Sequence, residues 1–488
     1  MNHIDLILPI VAPLLAAAIS LSLGWRTVTK WANSLAAVTI LGTGLLFAFG
    51  TRSSHVELFG GLLRSDPLSS LLLIAIGAVG SLVTVSSVDY IERELSVGAT
   101  DRSDARQYAT LVPLFLTTMV VVVLSNNLGL IWIAIEATTI TTAFLVGHHR
   151  TRLSLEATWK YVVICSFGIT LAFLGTVLLY FASVHSGSSP ADALNLDTLV
   201  RRAGRMDKTV TRLAMGLLLI GFGTKAGLFP FHTWLADAHS QAPAPISGLM
   251  SGILLSVAFS VVLRLKVVGD AALGVEYVRN SLLIVGIATL TIAVSLMVSQ
   301  RDLKRLLAYS SLEQMGFIAV ASAAGTELAF VGVLMVIVGN ALAKTVLFIA
   351  AGQLQSIRHS TLIEDLNGVM ESSRLLGVSM MIGLVGLVGL PPFALFVGEL
   401  SIARAMVNAN LVLPLLVTLL LLLVGFVSLI RHLGGMLLGP RAEDEATWKA
   451  RPSVYVTLTL GLSVSLFVGL VGGPFSNLVS SAAAVVAR

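Results

Sequence analysis

One cysteine in 488 residues, Cys165, leaves no intramolecular disulfide to form and no cysteine-ligated cluster to hold. Charge is scarce too. Asp, Glu, Lys and Arg make up 12% of the chain, about half of the roughly 25% usual in soluble domains, so most of its surface does not face water. Also absent are a glycine-rich dinucleotide fingerprint, a phosphate-binding loop, a metal-ligand cluster and any polar stretch long enough for a soluble domain. Such a chain can move charge, but it cannot by itself oxidise a substrate or split ATP, and the sequence implies no cofactor. The formal charge of +5 reads as loop Lys and Arg facing an anionic leaflet, with no nucleic-acid partner. No basic residue precedes the first apolar run, since Arg26 and Lys30 follow it, so a retained first helix is expected rather than a cleaved signal.

What fills the chain instead is apolar sequence, 56% of it, in runs of about 20 residues, each long enough to cross a bilayer core of about 30 Å. Fourteen spans are expected, near 4–24, 32–50, 66–90, 107–124, 127–147, 153–184, 211–235, 245–268, 278–300, 303–323, 328–355, 374–408, 412–438 and 453–472. Uninterrupted apolar runs exclude a membrane barrel, whose strands alternate. Basic residues are more numerous in the loops after odd-numbered spans, which puts those loops in the cytoplasm and both termini outside.

Two segments echo each other. "GLFPFHTWLAD" (Gly227–Asp237) and "GLPPFALFVGE" (Gly389–Glu399) share Gly, Leu, Pro and Phe in register and end on a carboxylate. They fall in the seventh and twelfth spans, and an odd offset reverses the direction of crossing. The pattern reads as an inverted-topology repeat, whose broken helices mark the site in transporters.

Four charges sit near the centres of apolar spans: Glu136, Lys225, Lys344 and Glu399. Each costs about 2.5–3.5 kcal/mol at mid-bilayer even on lenient insertion scales. Buried ion pairs are weak stabilisers, so a role confined to helix packing explains that cost poorly. Low dielectric pushes both lysine and glutamate towards neutrality, where a proton can be taken and released. Pro230 breaks the helix beside Lys225, freeing backbone carbonyls and admitting water. His232 and His239 flank that break as candidate relays, and Glu313 in "YSSLEQMGF" is a further interior candidate. Arg264 and Lys266 are expected to snorkel, Glu156 and Lys160 to form a local i, i+4 pair, and His148 and His149 to belong to a solvated cytoplasmic cap.

"NNLGLIWIAIEATTITTAFLVG", "GFGTKAGLFPFHTWLADAHSQAPAPISGLMSGILL", "QRDLKRLLAYSSLEQMGFI" and "GNALAKTVLFIAAG" resemble the proton-translocating antiporter-like subunits. That superfamily spans the large membrane subunits of respiratory complex I, Mrp-type cation/proton antiporters and membrane-bound hydrogenases. "WIAIEATT" and "DAHSQAPAP" are most similar to component F of hydrogenase-4-type complexes. The resemblance implies an all-α integral membrane protein of about 14 transmembrane helices, with two inverted five-helix repeats and broken helices 7 and 12. It divides the chain into helices 1–3 (1–106), a first repeat (107–268), a second repeat (278–438) and a last helix (439–488).

By position, the resemblance makes Glu136, Lys225, Lys344 and Glu399 the proton-transfer residues. The eighth span departs from the family in carrying only Ser251 or Ser256 where relatives have Lys or His. Gln314 and Asn340 likewise stand where some have His. Water then has to bridge the axis, or pumping is weakened. The function expected is a proton-translocating subunit of a redox-driven complex in a bacterial or archaeal inner membrane, beside other membrane subunits and a peripheral redox module. The alternatives are an Mrp-type antiporter subunit, with sodium as cargo, and a non-conducting membrane anchor.

Overall fold

In the computed structural model, which describes residues 3–50, 57–440, 452–470 and 473–487, the apolar runs fold as helices. Lipid offers no hydrogen bonds, so each crossing segment has to satisfy its own backbone, and a helix does so locally. Polar residues set the starts. Asp66, Asp101, Asn127, Thr151, Asp302 and Thr326 are N-caps whose side chains accept from backbone N–H groups of the first turn.

The order is α1 (His3–Leu23), α2 (Thr27–Phe49), the two-stranded hairpin β1 (Glu57–Leu58) and β2 (Leu63–Arg64), α3 (Pro67–Ser96), α4 (Arg102–Leu124), α5 (Leu128–Val146) and α6 (Arg152–His185). There follow α7 (Leu196–Arg202), α8 (Lys208–Lys225), α9 (Trp234–Gln241) and α10 (Ala244–Leu249). A π turn at Met250–Leu254 joins α10 to α11 (Leu255–Leu273). Then come α12 (Val275–Val298), α13 (Leu303–Ser322), α14 (Glu327–Arg358), α15 (Val369–Ser372), α16 (Arg374–Leu387) and α17 (Ala394–Asn408). The chain ends with α18 (Val412–Leu438), α19 (Pro452–Leu470) and α20 (Pro474–Val486).

The most apolar stretches of α10–α11 and α14 are 100% buried, against 28% for α18, so these two columns form the core and the others ring it. Outer helices turn large apolar side chains outward, such as Trp31, Leu35, Ile284 and Leu413. The chain is a multi-pass membrane protein. Eleven described helices are long and apolar enough to cross a bilayer, twelve if the pair Ile363–Ser372 and Arg374–Leu387, bent by 115°, counts as one span. Of the fourteen spans expected, those not counted among the eleven are α8–α9, α13 and α16–α17. These are the charged or interrupted ones. α20, which the sequence did not suggest, packs against α3 and α14.

The two interruptions share a conformation. Gly227 and Gly389 adopt φ of 82° and 69°, a left-handed backbone that glycine reaches without strain. The starts of α5 and α13 are also alike, each making an isolated antiparallel bridge to a later loop, Asn127 to Asn195 and Asp302 to Leu362.

Candidate functional site

Lys225 ends α8 and is fully buried. Its Nζ donates to Thr139 Oγ1 on α5 at 2.9 Å and to the Tyr161 hydroxyl on α6 at 2.5 Å. It lies 4.7 Å from the centre of the Tyr161 ring and 6.0 Å from that of Trp234. Aromatic faces stabilise a cation without holding its proton as a carboxylate would. The Tyr161 hydroxyl is in turn 2.5 Å from Thr142 Oγ1. Glu136, one turn before Thr139 on α5, forms no ion pair with Lys225. Its Oε1 accepts from Ser166 at 3.0 Å, while its Oε2 is buried without a protein partner.

The break between α8 and α9 separates the two histidines. His232 is half-buried near Phe229, ring centres 6.3 Å apart, at a tip where Phe229 and Thr233 are exposed. No hydrogen bond joins it to Lys225, and its Nδ1 has no protein partner. His239 is fully buried, with Nδ1 2.7 Å from the Leu235 carbonyl and Nε2 unpartnered. Its ring stands 6.1 Å from Trp234 on one side and 6.1 Å from Phe348 on the other. Phe348 lies one helical turn beyond Lys344 on α14. His239 therefore sits between the two buried lysines, and His232 does not.

Lys344, fully buried at the middle of α14, donates to the Leu307 carbonyl at 2.7 Å and to Ser310 Oγ, both on α13. Glu313 is three residues beyond Ser310 on the same helix and is buried. Its carboxylate rests on Gly425 of α18, where an added Cβ would lie 1.9 Å from Oε1. The half-buried Glu399 rests likewise on Gly389, whose Cβ would lie 2.5 Å from Oε2. Neither carboxylate is in an ion pair among the described residues. Asn340, one turn before Lys344, and Ser256 on α11 are fully buried with side-chain polar atoms that find no protein partner; the same holds for Gln314 Oε1. Buried polar groups in that state are satisfied by water.

The sequence did not single out Thr139, Tyr161 or Ser310, whose hydroxyls hold the lysines. Thr139 was reachable in principle, since it lies three residues from Glu136 and therefore on the same helical face. Lys304, which the sequence did not single out, is a further buried cation: it is 2% exposed and donates to the Ala242 carbonyl at 2.6 Å. Arg264 and Lys266 do not snorkel. Arg264 is buried and grips both Asp66 carboxylate oxygens, at 2.7 and 3.0 Å, and Lys266 pairs with Asp270. His148 and His149 are not simply solvated; both pair with Glu94. The Glu156–Lys160 pair is present at 2.7 Å.

A family model described as NADH:quinone oxidoreductase/Mrp antiporter, TM, matches residues 125–425. The chain is 33% identical over 394 residues to the Hydrogenase-4 component F homolog of Methylacidiphilum infernorum, covering 81% of each chain. It is 28% identical over 474 residues to the F(420)H(2) dehydrogenase subunit N of Methanosarcina mazei, covering 93% of this chain and 91% of that one. Its fold matches a chain of the membrane-bound sulfane sulfur reductase, an archaeal respiratory membrane complex, with a TM-score of 0.89 at 22% identity, over 100% and 98% of the two chains.

Proposed function

Because the chain belongs to the NADH:quinone oxidoreductase/Mrp antiporter membrane family, we propose that it translocates protons as a membrane subunit of a redox-driven complex. The observation that carries this reading is the set of buried titratable groups without ion pairs among the described residues: Lys225, His239 and Lys344, with Glu136, Glu313 and Glu399 on neighbouring helices. Hydroxyls and carbonyls hold the lysines, so each can be charged or neutral without breaking a salt bridge. The unpartnered buried atoms of Glu136, His239, Ser256 and Asn340 suit bridging waters. Such waters would replace the Lys or His missing from the eighth span. The names of the relatives, a hydrogenase component and a dehydrogenase subunit, favour redox drive.

In this reading α4 to α11 and α12 to α18 are two five-span repeats of inverted topology within fourteen spans, with both termini outside. The paired breaks at Gly227 and Gly389 and the paired bridges at Asn127 and Asp302 support the repeat. Lys225 and Lys344 exchange protons by way of His239, and release runs through Glu313 to Glu399. The assembled complex would supply the redox module.

The test is Lys225→Ala in vesicles carrying the assembled complex. Proton transport is expected to fall at least about a hundredfold, with membrane abundance unchanged. Acidification at the wild-type rate would sink the reading, and sodium-dependent transport would favour a sodium/proton antiporter.

A further inference from the structure

A cavity of about 330 Å³ lies between α3, the start of α10, α14 and α19, and neither Lys225 nor Lys344 lines it. One wall carries Tyr90 and Glu94, and the α5–α6 connection adds His149. Glu94 is unusually crowded for a residue near a helix end. Its Oε1 is 2.6 Å from His149 Nε2, and its Oε2 accepts from Thr100 Oγ1 at 2.9 Å and lies 3.4 Å from His148 Nε2. The Tyr90 hydroxyl is 3.3 Å from the same His149 nitrogen. His148 is 7% exposed and packs edge-on against Tyr108 at 5.5 Å. The α5–α6 connection, 55 residues away at His149, is thus gathered with Thr100 around one carboxylate. The other charged groups facing the cavity are engaged elsewhere: Arg93 on Ser356, and Asp89 with Ser453. His359 lines it from the end of α14.

Ala244 and Pro245 line the cavity, and two residues before them is Ala242, whose carbonyl receives Lys304. Lys304, Leu307 and Ser311 share one face of α13, at spacings of three and four residues. The Leu307 carbonyl accepts from Lys344, and Ser311 Oγ is 2.6 Å from Ser251 Oγ in the π turn. Lys304 and the Leu307 carbonyl that holds Lys344 thus lie about one turn apart on α13, and among the described residues Lys304 is in no ion pair.

Resting on the proton-translocating reading above, we propose that His148 and His149, held by the Glu94 carboxylate, form a proton-collecting mouth that joins the path at Lys344 through Lys304. An imidazole–carboxylate cluster suits that work, because histidine exchanges protons near neutral pH. A mouth gathers protons when they are scarce. Its loss limits transport at alkaline pH and matters little when protons are abundant.

The experiment measures proton transport by the assembled complex in vesicles of both orientations while the pH on the cavity face is varied. Glu94→Gln is expected to slow transport at least about tenfold near about pH 8, but less than about twofold near about pH 6. An imidazole buffer on the cavity face should restore the alkaline rate, and Glu94→Asp should keep at least about half of it. His149→Gln, at a half-buried position, should shift the profile in the same direction and decides the matter if Glu94→Gln does not assemble. A rate lowered equally at both pH values and unmoved by buffer would make the cluster a folding device. A rate unchanged at both would also overturn the proposal. In either case Lys225→Ala in the same vesicles separates the levels. If it still abolishes transport, only the mouth has failed; if it does not, the proton-translocating reading has failed with it.

Discussion

At the N-terminal end of α3, Arg264 holds Asp66 through two hydrogen bonds of 2.7 and 3.0 Å, and Ser69 accepts from the same guanidinium at 3.0 Å. On the central axis Lys225 and Lys344 are buried at least as completely, yet neither touches a carboxylate. Both regions bear the cost of charge in low dielectric, and they meet it differently. A direct pair compensates the charge by fixing it, because either partner losing its charge strands the other. A lysine set among hydroxyls, aromatic rings and a carbonyl keeps acceptors in either protonation state. Burial alone therefore does not distinguish a structural charge from a mobile one; the partner does.

The sharpest way to break this comparison is to convert the second kind of site into the first. Thr139→Asp would place a carboxylate where a hydroxyl now accepts from Lys225 at 2.9 Å. The resulting pair should hold the lysine proton and slow transport by about tenfold to a thousandfold. Thr139→Val removes one acceptor and adds no charge, and its effect should be several times smaller. Proton flux in vesicles, normalised to membrane abundance, checks both. Wild-type flux in Thr139→Asp would mean that the absence of an ion pair at Lys225 is incidental.

A second, intermediate effect is expected at the far end. Glu399 follows the Gly389 break and packs on that glycine. Glu399→Asp keeps a titrating group at shorter reach and should retain partial transport, whereas Glu399→Gln should leave almost none, with both proteins equally abundant. The two variants separate proton handling from packing, because Gln has the shape of Glu and Asp its chemistry. Equal, near-normal flux in both would make Glu399 a packing residue and favour a non-conducting anchor.

The two regions were unequally legible in the sequence. Lys225 and Lys344 stood out because an apolar run makes any cation within it conspicuous, and the Gly-Leu-x-Pro-Phe echo marked both interruptions. Lys304 did not stand out. It follows a polar connection, where a lysine reads as solvated, and only the fold brings the Ala242 carbonyl over it. The partner of Arg264 is 198 residues away and that of His149 is 55 residues away, so no local pattern could distinguish a buried pair from a snorkelling or solvated side chain. Helix periodicity reveals which residues share a face, which is why Glu136 and Thr139 could be linked. It does not reveal which helix that face meets, and it carried no sign that the Glu313 carboxylate would rest on Gly425 of α18.

The smallest effect on transport should come from the region with the strongest pair. Burial would by itself raise the Asp66 carboxyl, but the Arg264 guanidinium, the Ser69 N–H and Arg64 together hold it well below the usual carboxylate range. A lowered folded-state value means that the stabilisation is fully present above about pH 4, where the unfolded carboxylate is already charged, and is lost only as the pH falls further. Asp66 is thus permanently ionised wherever transport can be measured, and it has no proton to give. Asp66→Asn strands a buried guanidinium and should destabilise the fold by about 3–5 kcal/mol, seen as lower membrane abundance and a lower unfolding temperature. Flux per assembled molecule, and its dependence on pH, should stay within about twofold of wild type, because additivity holds between distant sites that share no partners. An altered pH profile in Asp66→Asn would place this pair on the proton path and erase the distinction between charges that are fixed and charges that move.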